Sequence, residues 1–447
     1  MNAARPEVHP PAPWTFPQAS EHTLDNGLQV ALYPLPGQHV TSTRLNLPVP
    51  LAAEPRDREG VMTMVSRTMD EGTASHSADE MAELFEGNGI ALHAGVTQHG
   101  IWLDLEATTR NVETGFGLAL ECLTEPAFPE QEVNRHRLQR ISQIDHDLAD
   151  PGYRGTLEFV RTFFTPQSRL SRPTGGTRES LADLTREDCA RFHADWVRPG
   201  DAFVVVAGDF DEQAMLAALN RTLGGWHSQT SAPTLDVASD QPADDRNRVV
   251  FVDRPGSVQT EIHLGWLGPA RENGTQWAPY PVLSYAVGGS PHARIDRVLR
   301  EEKGYTYGMR GSFRPRSDFG QFVVAGSVRA DSTPDSLRLL GEIFDGVDGG
   351  LDVEELREGV DFLSMTAPAR YATADAVADE AASLHFVGLD TSFITDYLAA
   401  MRSLTLEDVN SAWQQWSSQP RTIVLVGDAD KYADQVGALG IGDLTVV

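Results

Sequence analysis

The sequence predicts an α+β protein made of two homologous domains, each with helices packed on one face of a mainly antiparallel sheet. Three observations carry this. First, segments of the first half recur in the second, offset by about 220 residues. Leu184-Thr185-Arg186-Glu187-Asp188 returns as Leu404-Thr405-Leu406-Glu407-Asp408, and Trp196 returns as Trp416. The apolar run Phe203-Val204-Val205-Val206, closed by Gly208-Asp209, returns as Ile423-Val424-Leu425-Val426, closed by Gly427-Asp428. A run before Pro36-Gly37 (Leu28 to Leu32) has its counterpart in Val249 to Val252 before Pro255-Gly256. A period of that length is a duplicated domain and not a solenoid. Second, strand and helix periodicities alternate irregularly within each half. Third, the halves are separated by a polar stretch without periodicity.

In order along the chain, residues 1–20 are Pro-rich and read as a mobile arm. A first domain spans 21–226. Within it GIWLDLEA (100–107) alternates apolar and polar residues, as in a strand with one solvated face. VETGFGLALECL (112–123) has helical spacing and stops near Pro126. The segment 131–148 reads as a long polar helix between Pro129 and Pro151. The stretch 227–246, rich in Ser, Asp and Pro, reads as an extended linker. A second domain spans 247–447, with a strand over 322–328 and a helix over 335–347.

Composition bounds the function. The chain has 447 residues, 40% of them hydrophobic and 22% charged, enough for two to four ordinary globular domains. No apolar run is long enough to span a bilayer. The start carries neither a secretory signal nor a clean transit peptide, so a cytoplasmic, bacterial protein is expected. The net charge of −28 argues against non-specific binding to nucleic acid or anionic membrane. The acids are scattered and read first as a solubility feature, although they would also suit basic peptides. Cys122 and Cys189 read as reduced core thiols.

Residues 60–73, GVMTMVSRTMDEGT, resemble the first helix of the pitrilysin/insulinase family of inverted zincins. There H-x-x-E-H stands between a leading Gly and a trailing Gly-Thr. The frame is present as Gly60, Gly72 and Thr73. Thr63 and Arg67 stand where the two His would be, and Ser66 where the Glu would be. The third ligand of the family is a Glu some 76 residues past the second His; Gln143 occupies that place, and His136 replaces a second acid seven residues earlier. Hydroxyls and an amide are poor zinc ligands and a guanidinium repels the metal, so loss of all four positions implies no zinc on this chain. Leu24-Asp25-Asn26-Gly27-Leu28, Asn88-Gly89, Gly176 to Leu181 and especially GGSPHARIDRVLREEKGYTYG (288–308) extend the resemblance over nearly the whole chain.

In that last segment Arg300 and Tyr307, seven residues apart, match an Arg/Tyr pair that the family's second domain aims at the zinc helix. Such a Tyr can donate to a scissile carbonyl oxygen, and such an Arg can hold substrate oxygens. Tyr305 lies on the same strand face and periodicity alone does not separate it from Tyr307. Gly288-Gly289 is either a loop admitting substrate backbone or a plain turn before a helix. His76, His93 and His99 read as surface or hydrogen-bonded residues, and Met62, Met64 and Met69 as helix core.

The resemblance implies half of a clamshell. It would be a non-catalytic subunit of a heterodimeric zinc metallopeptidase, paired with a catalytic sister chain that binds zinc and cleaves peptides or unfolded polypeptide. Arg300, Tyr307, Gly288 and Gly289 would contact substrate. A different class of role on the same fold, a non-enzymatic structural or peptide-binding assembly protein, is the alternative; a self-contained enzyme lacks any supporting motif.

Overall fold

The computed structural model describes residues 13–228, 233, 235, 241–271, 274–316 and 318–447. The first half contributes β1 (Ser20–Thr23), β2 (Gln29–Pro34), β3 (Val40–Leu47), β4 (Ile90–Thr97), β5 (Gly100–Thr108) and β6 (Phe203–Gly208). The second contributes β7 (Arg248–Asp253), β8 (Gln259–Gly268), β9 (Met309–Pro315), β10 (Gly320–Arg329), β11 (Thr422–Gly427) and β12 (Asp443–Val446). Each set forms one six-stranded sheet, in the orders β1-β2-β6-β3-β5-β4 and β12-β7-β11-β8-β10-β9. Apart from the outermost strand next to β2 or β7, the two orders are the same topology used twice. Only β2 with β6, β7 with β11 and β7 with β12 run parallel.

The recurring sequence fragments turn out to be the fold's fasteners. The Pro-Gly pairs place Gly37 and Gly256 at φ +88° and +76°, where a side chain is strained. The amide of Gly37 donates to Asp209 (2.9 Å), and that of Gly256 donates to Asp428 (3.0 Å). Each repeated Gly-Asp thus pins the turn that leaves the neighbouring parallel strand. The repeated Leu-Thr-x-Glu-Asp is a helix start. Thr185 and Asp188, and likewise Thr405 and Asp408, make reciprocal capping boxes on the helices Arg186–Trp196 and Leu406–Ser417. β6 and β11 are buried along their whole length, as central strands covered on both faces must be.

That second cover corrects the expectation of helices on one face. Within the first half, Val204, Val206, Leu45 and Leu47 face that half's own helices. Phe203, Val205 and Ala207 join the second half's core. The helix Ala374–Phe386 lies across β3 and β6, and in exchange the helix Pro151–Phe163 lies across β8 and β11. Phe159, Phe163 and Phe164 pack there on Val250, Val252, Val424 and Val426. Each half therefore lends a helix to the other. Pro151 does end the long polar helix, observed as Glu130–Ala149, but it also opens this lent helix: Asp150 caps it and Pro occupies the first turn. For the same reason the polar face of β5 is half-buried under the second half and not solvated.

The Pro-rich arm needs correcting over its last eight residues; residues 1–12 lie outside the described residues. Phe16 is 2% exposed and packs edge-on against Tyr33 of the first half and Tyr371 of the second. Trp14 stacks on Tyr371, and the Phe16 amide donates to Thr395. The arm is a strap across the two halves. In the expected linker, 229–232, 234 and 236–240 lie outside the described residues; its far end is held by Thr165 N to Gln241 O (3.0 Å) and Ala243 N to Phe163 O (2.8 Å). No helix among the described residues is long and apolar enough to cross a membrane.

Candidate functional site

The helix Val61–Thr68 starts at Gly60, whose φ of +99° and close packing on Gly175 and Gly176 exclude a side chain. Its first amides are held by a buried carboxylate: Gly60 N and Met62 N donate to Glu54 (2.9 and 3.0 Å), which pairs with buried Arg169 at 2.7 Å. Met62, Met64 and Met69 are fully buried core. At the other end Gly72 sits at φ +101°, and the Thr73 hydroxyl accepts from the amides of Ser75 and His76 (3.2 and 3.0 Å). The Gly/Gly-Thr frame is therefore a fold requirement, independent of what the helix carries between its ends.

Between those ends there is no set of metal donors. Ser66 is buried and its hydroxyl donates to the Thr63 carbonyl one turn back (3.0 Å). Gln143 is exposed and donates to Asp147 on its own helix (2.6 Å). Arg67 is half-buried and, among the described residues, makes no hydrogen bond or ion pair. Burial first, and then the charge of Arg140, hold its pKa below the ordinary arginine value. A zinc ion does not fit two hydroxyls, an exposed amide and a cation.

Beside this helix opens a cleft of about 320 Å³, lined by Ser66, Arg67, Asp70, His93, His136 and Gln139 among others. At its rim, donor atoms of Glu71, Glu132 and His136 lie within 4.8 Å of one another, which is ligand-like spacing. Arg135, however, pairs with both carboxylates at 2.6 Å and His136 pairs with Glu71 at 2.6 Å. Arg135, a permanent cation, thus already answers the carboxylate charge of this trio. His76 is likewise paired, with Glu121 at 2.8 Å.

In the second half, Arg300 lies in a stretch of π-helix, Arg297–Glu302, on the helix that follows Gly288-Gly289. Its side chain is exposed and its nearest charged neighbour is Glu301, at 3.7 Å. The structure separates the two tyrosines. Tyr305 donates its hydroxyl to Asp335 (3.0 Å) and lies under the Arg329 guanidinium. Tyr307 is 92% exposed and, among the described residues, its hydroxyl has no partner. The glycine pair is occupied by the chain's own backbone. Gly288 bridges Gly311 at the start of β9, where a Cβ would strike the Gly311 backbone, and a Cβ on Gly289 would fall 2.8 Å from the Ser284 carbonyl. Packing accounts for both, so the turn alternative is the one the geometry supports.

A charged cluster between the halves was not singled out from the sequence. Arg44 on β3, 4% exposed, meets Asp104 (3.1 Å), Glu106 (2.9 Å), Asp379 (2.6 Å) and Asp375. The last two belong to the helix lent by the second half. Burial and the neighbouring carboxylates, against the pull of Arg44, push Asp104 up to about 6. At the equivalent place on β8 stands His263, buried against Gly155 of the other lent helix and pushed down to about 4 by burial. The sequence did hold one signal for Arg44: VTSTRLNL keeps polar residues at alternate positions of a strand whose neighbours are apolar.

Residues 183–363 match the family described as the peptidase M16 inactive domain. That match covers the middle of the chain, and it agrees with the resemblance to the pitrilysin/insulinase family read from residues 60–73 and 288–308. It is 22% identical over 420 residues to an uncharacterized zinc protease of Streptomyces coelicolor, covering 93% of this chain and 91% of that protein. It is also 22% identical over 310 residues to an uncharacterized zinc protease of Rickettsia felis, covering 69% and 73%. Among solved structures it resembles a peptidase M16 inactive domain from Pseudomonas fluorescens, with TM-score 0.83, 21% identity and coverage of 92% and 98%. A protease from Helicobacter pylori gives TM-score 0.83, 17% identity and coverage of 92% and 100%. These two likenesses speak to the fold: the whole two-domain chain is the shared unit.

Proposed function

We propose that this chain is the non-catalytic subunit of a two-chain bacterial zinc peptidase of the cytoplasm. It lends Arg300, Tyr307 and half of a chamber wall to a catalytic sister chain that carries H-x-x-E-H and the zinc. The observation that carries this reading is the contrast between the halves. The family's metal positions hold Thr63, Ser66, Arg67 and Gln143, three of them tied into their own helices or buried without a ligand's chemistry, whereas Tyr307 stands free in solvent with an unengaged hydroxyl. A tyrosine held by nothing among the described residues of its own chain is available to a group supplied by another. Its hydroxyl would donate to the peptide carbonyl oxygen as charge develops there, and Arg300 would orient the peptide through its fork of donors.

The test is reconstitution with a co-purified sister chain. Tyr307→Phe in the pair is expected to lower kcat by about a hundredfold with little change in KM, the scale of losing one oxyanion donor. Tyr305→Phe, which removes a bond to Asp335, is expected to leave kcat unchanged. An unaltered kcat in Tyr307→Phe removes that role. Failure to recover any zinc-bearing sister from the native cell favours an assembly or peptide-holding protein instead.

A further inference from the structure

We propose that the emptied metal position has become an anion site, in which Arg67, supported by Arg140, binds a carboxylate of a peptide lying against the cleft. The argument begins with an uncompensated charge. Arg67 is half-buried on the helix Val61–Thr68, opens into the cleft of about 320 Å³, and pairs with no acidic group among the described residues. A guanidinium stays protonated under these conditions, and burying one without a counter-charge is costly. The cleft does contain acids, but neither forms an ion pair with Arg67. Glu71 is held by Arg135 and His136, and burial first, with the charge of Glu71 adding to it, raises the pKa of Asp70 and so favours its neutral form. The neighbour that acts on Arg67 is a second cation, Arg140. Arg140 is itself fixed: it donates to the Gly175 carbonyl (3.2 Å), lies 3.9 Å from Asp147, and closes over Gly175, where a Cβ would meet its guanidinium.

Arg67, unpaired among the described residues and open to the cleft, offers a planar oxyanion the paired donors of its guanidinium, and the anchored Arg140 adds positive charge behind it. Ser66 and Gln139 supply further polar lining. The chemistry at this place in the fold is therefore the reverse of a metal centre, attracting an anion and repelling a cation. The carboxylate could be a Glu or Asp side chain or a chain terminus, and the test separates these sources. The inference rests on the reading of this chain as a peptide-contacting subunit only for the choice of a peptide as carrier.

The experiment uses the full chain alone and fluorescence polarisation with dye-labelled octapeptides of Ala and Ser. One carries a central Glu and an amidated terminus, the second a central Gln and an amidated terminus, and the third a central Gln and a free terminal carboxylate. One or both acidic peptides are expected to bind about tenfold or more tightly than the neutral one, the scale of a charge-assisted hydrogen bond. Arg67→Gln is expected to abolish that preference and Arg67→Lys to keep part of it. Arg338→Gln, which removes an exposed cation of the second half paired with Asp335 and Glu342, is expected to keep it whole. Unchanged circular dichroism and melting temperature show that the variants fold. Equal binding of all three peptides, no binding of any, or a preference that survives Arg67→Gln overturns the inference. Because no sister chain or cleavage enters the assay, its outcome is independent of whether the accessory-subunit reading stands.

Discussion

Arg44→Met removes the one cation from a set of four carboxylates that straddles the two halves. The variant keeps the volume and apolar stem of the side chain, so the loss is mainly electrostatic. Breaking a buried ion pair from one side costs about 3–5 kcal/mol. Asp375 and Asp379 are each 60% exposed at the side chain and contribute little by themselves. That places the expected loss near the lower end, at about 3 kcal/mol near neutral pH. The pH dependence follows from Asp104. Its carboxyl already titrates at about 6 in the folded protein, above its ordinary value of 3.8, so the folded state binds a proton that the unfolded state lacks between those values. Stability from this group therefore rises as pH falls through that window. Without Arg44 the folded value moves higher still, each further unit being worth about 1.4 kcal/mol. The penalty of Arg44→Met should accordingly be largest near pH 8 and shrink by at least about 1.4 kcal/mol near pH 5. Urea unfolding of wild type and variant at the two pH values, followed by tryptophan fluorescence and circular dichroism, measures this. A penalty equal at both, or below about 0.5 kcal/mol throughout, would refute the electrostatic account of the interface.

Other expectations follow from the same structure. His193 and His263 are both pushed down to about 4 by burial, so their neutral forms support folding above pH 6.5 and that support is lost as pH falls toward 4. His193→Gln, which can still reach the Leu123 carbonyl, should flatten the acid limb of the stability curve by about 3 kcal/mol; a limb as steep as wild type contradicts this. Phe16→Ala should cost about 3 kcal/mol in urea melts, because it opens a hole between Tyr33 and Tyr371; a cost under about 1 kcal/mol would mean the strap carries no load. Gly288→Ala should lower the melting temperature by several degrees through its clash with Gly311, and an unchanged melting temperature would reopen the substrate-loop alternative for that turn.

What the sequence could reveal was decided by the range of the interactions. The duplication was readable because its marks are local. Capping boxes at Thr185 and Thr405, and the Pro-Gly and Gly-Asp pairs, are short motifs that recur whole. The frame of Gly60, Gly72 and Thr73 was readable for the same reason. The exchange of helices was not, since an apolar helix face has the same pattern whether it covers its own sheet or its neighbour's. Phe159 and Phe163 give no sign that their partners, Val424 and Val426, lie in the other half. Arg44 stayed hidden because two of its four acids are more than 330 residues away. Tyr305 and Tyr307 were equivalent by periodicity until Asp335 and Arg329 distinguished them. The strap was not legible because Pro-rich composition signals a segment without helix or strand and says nothing of Trp14 and Phe16 finding Tyr371.

The central claim is that the peptidase chemistry lies on another chain. The most direct measurement is to purify this protein from its native cell with its associates, then record zinc content and peptide cleavage before and after the chains are separated. The account predicts that zinc and cleavage belong to the complex, that the zinc stays with a partner bearing H-x-x-E-H, and that cleavage returns on mixing. Cleavage by this chain alone, with zinc lost on changing Thr63, Ser66, Arg67 or Gln143, would contradict it.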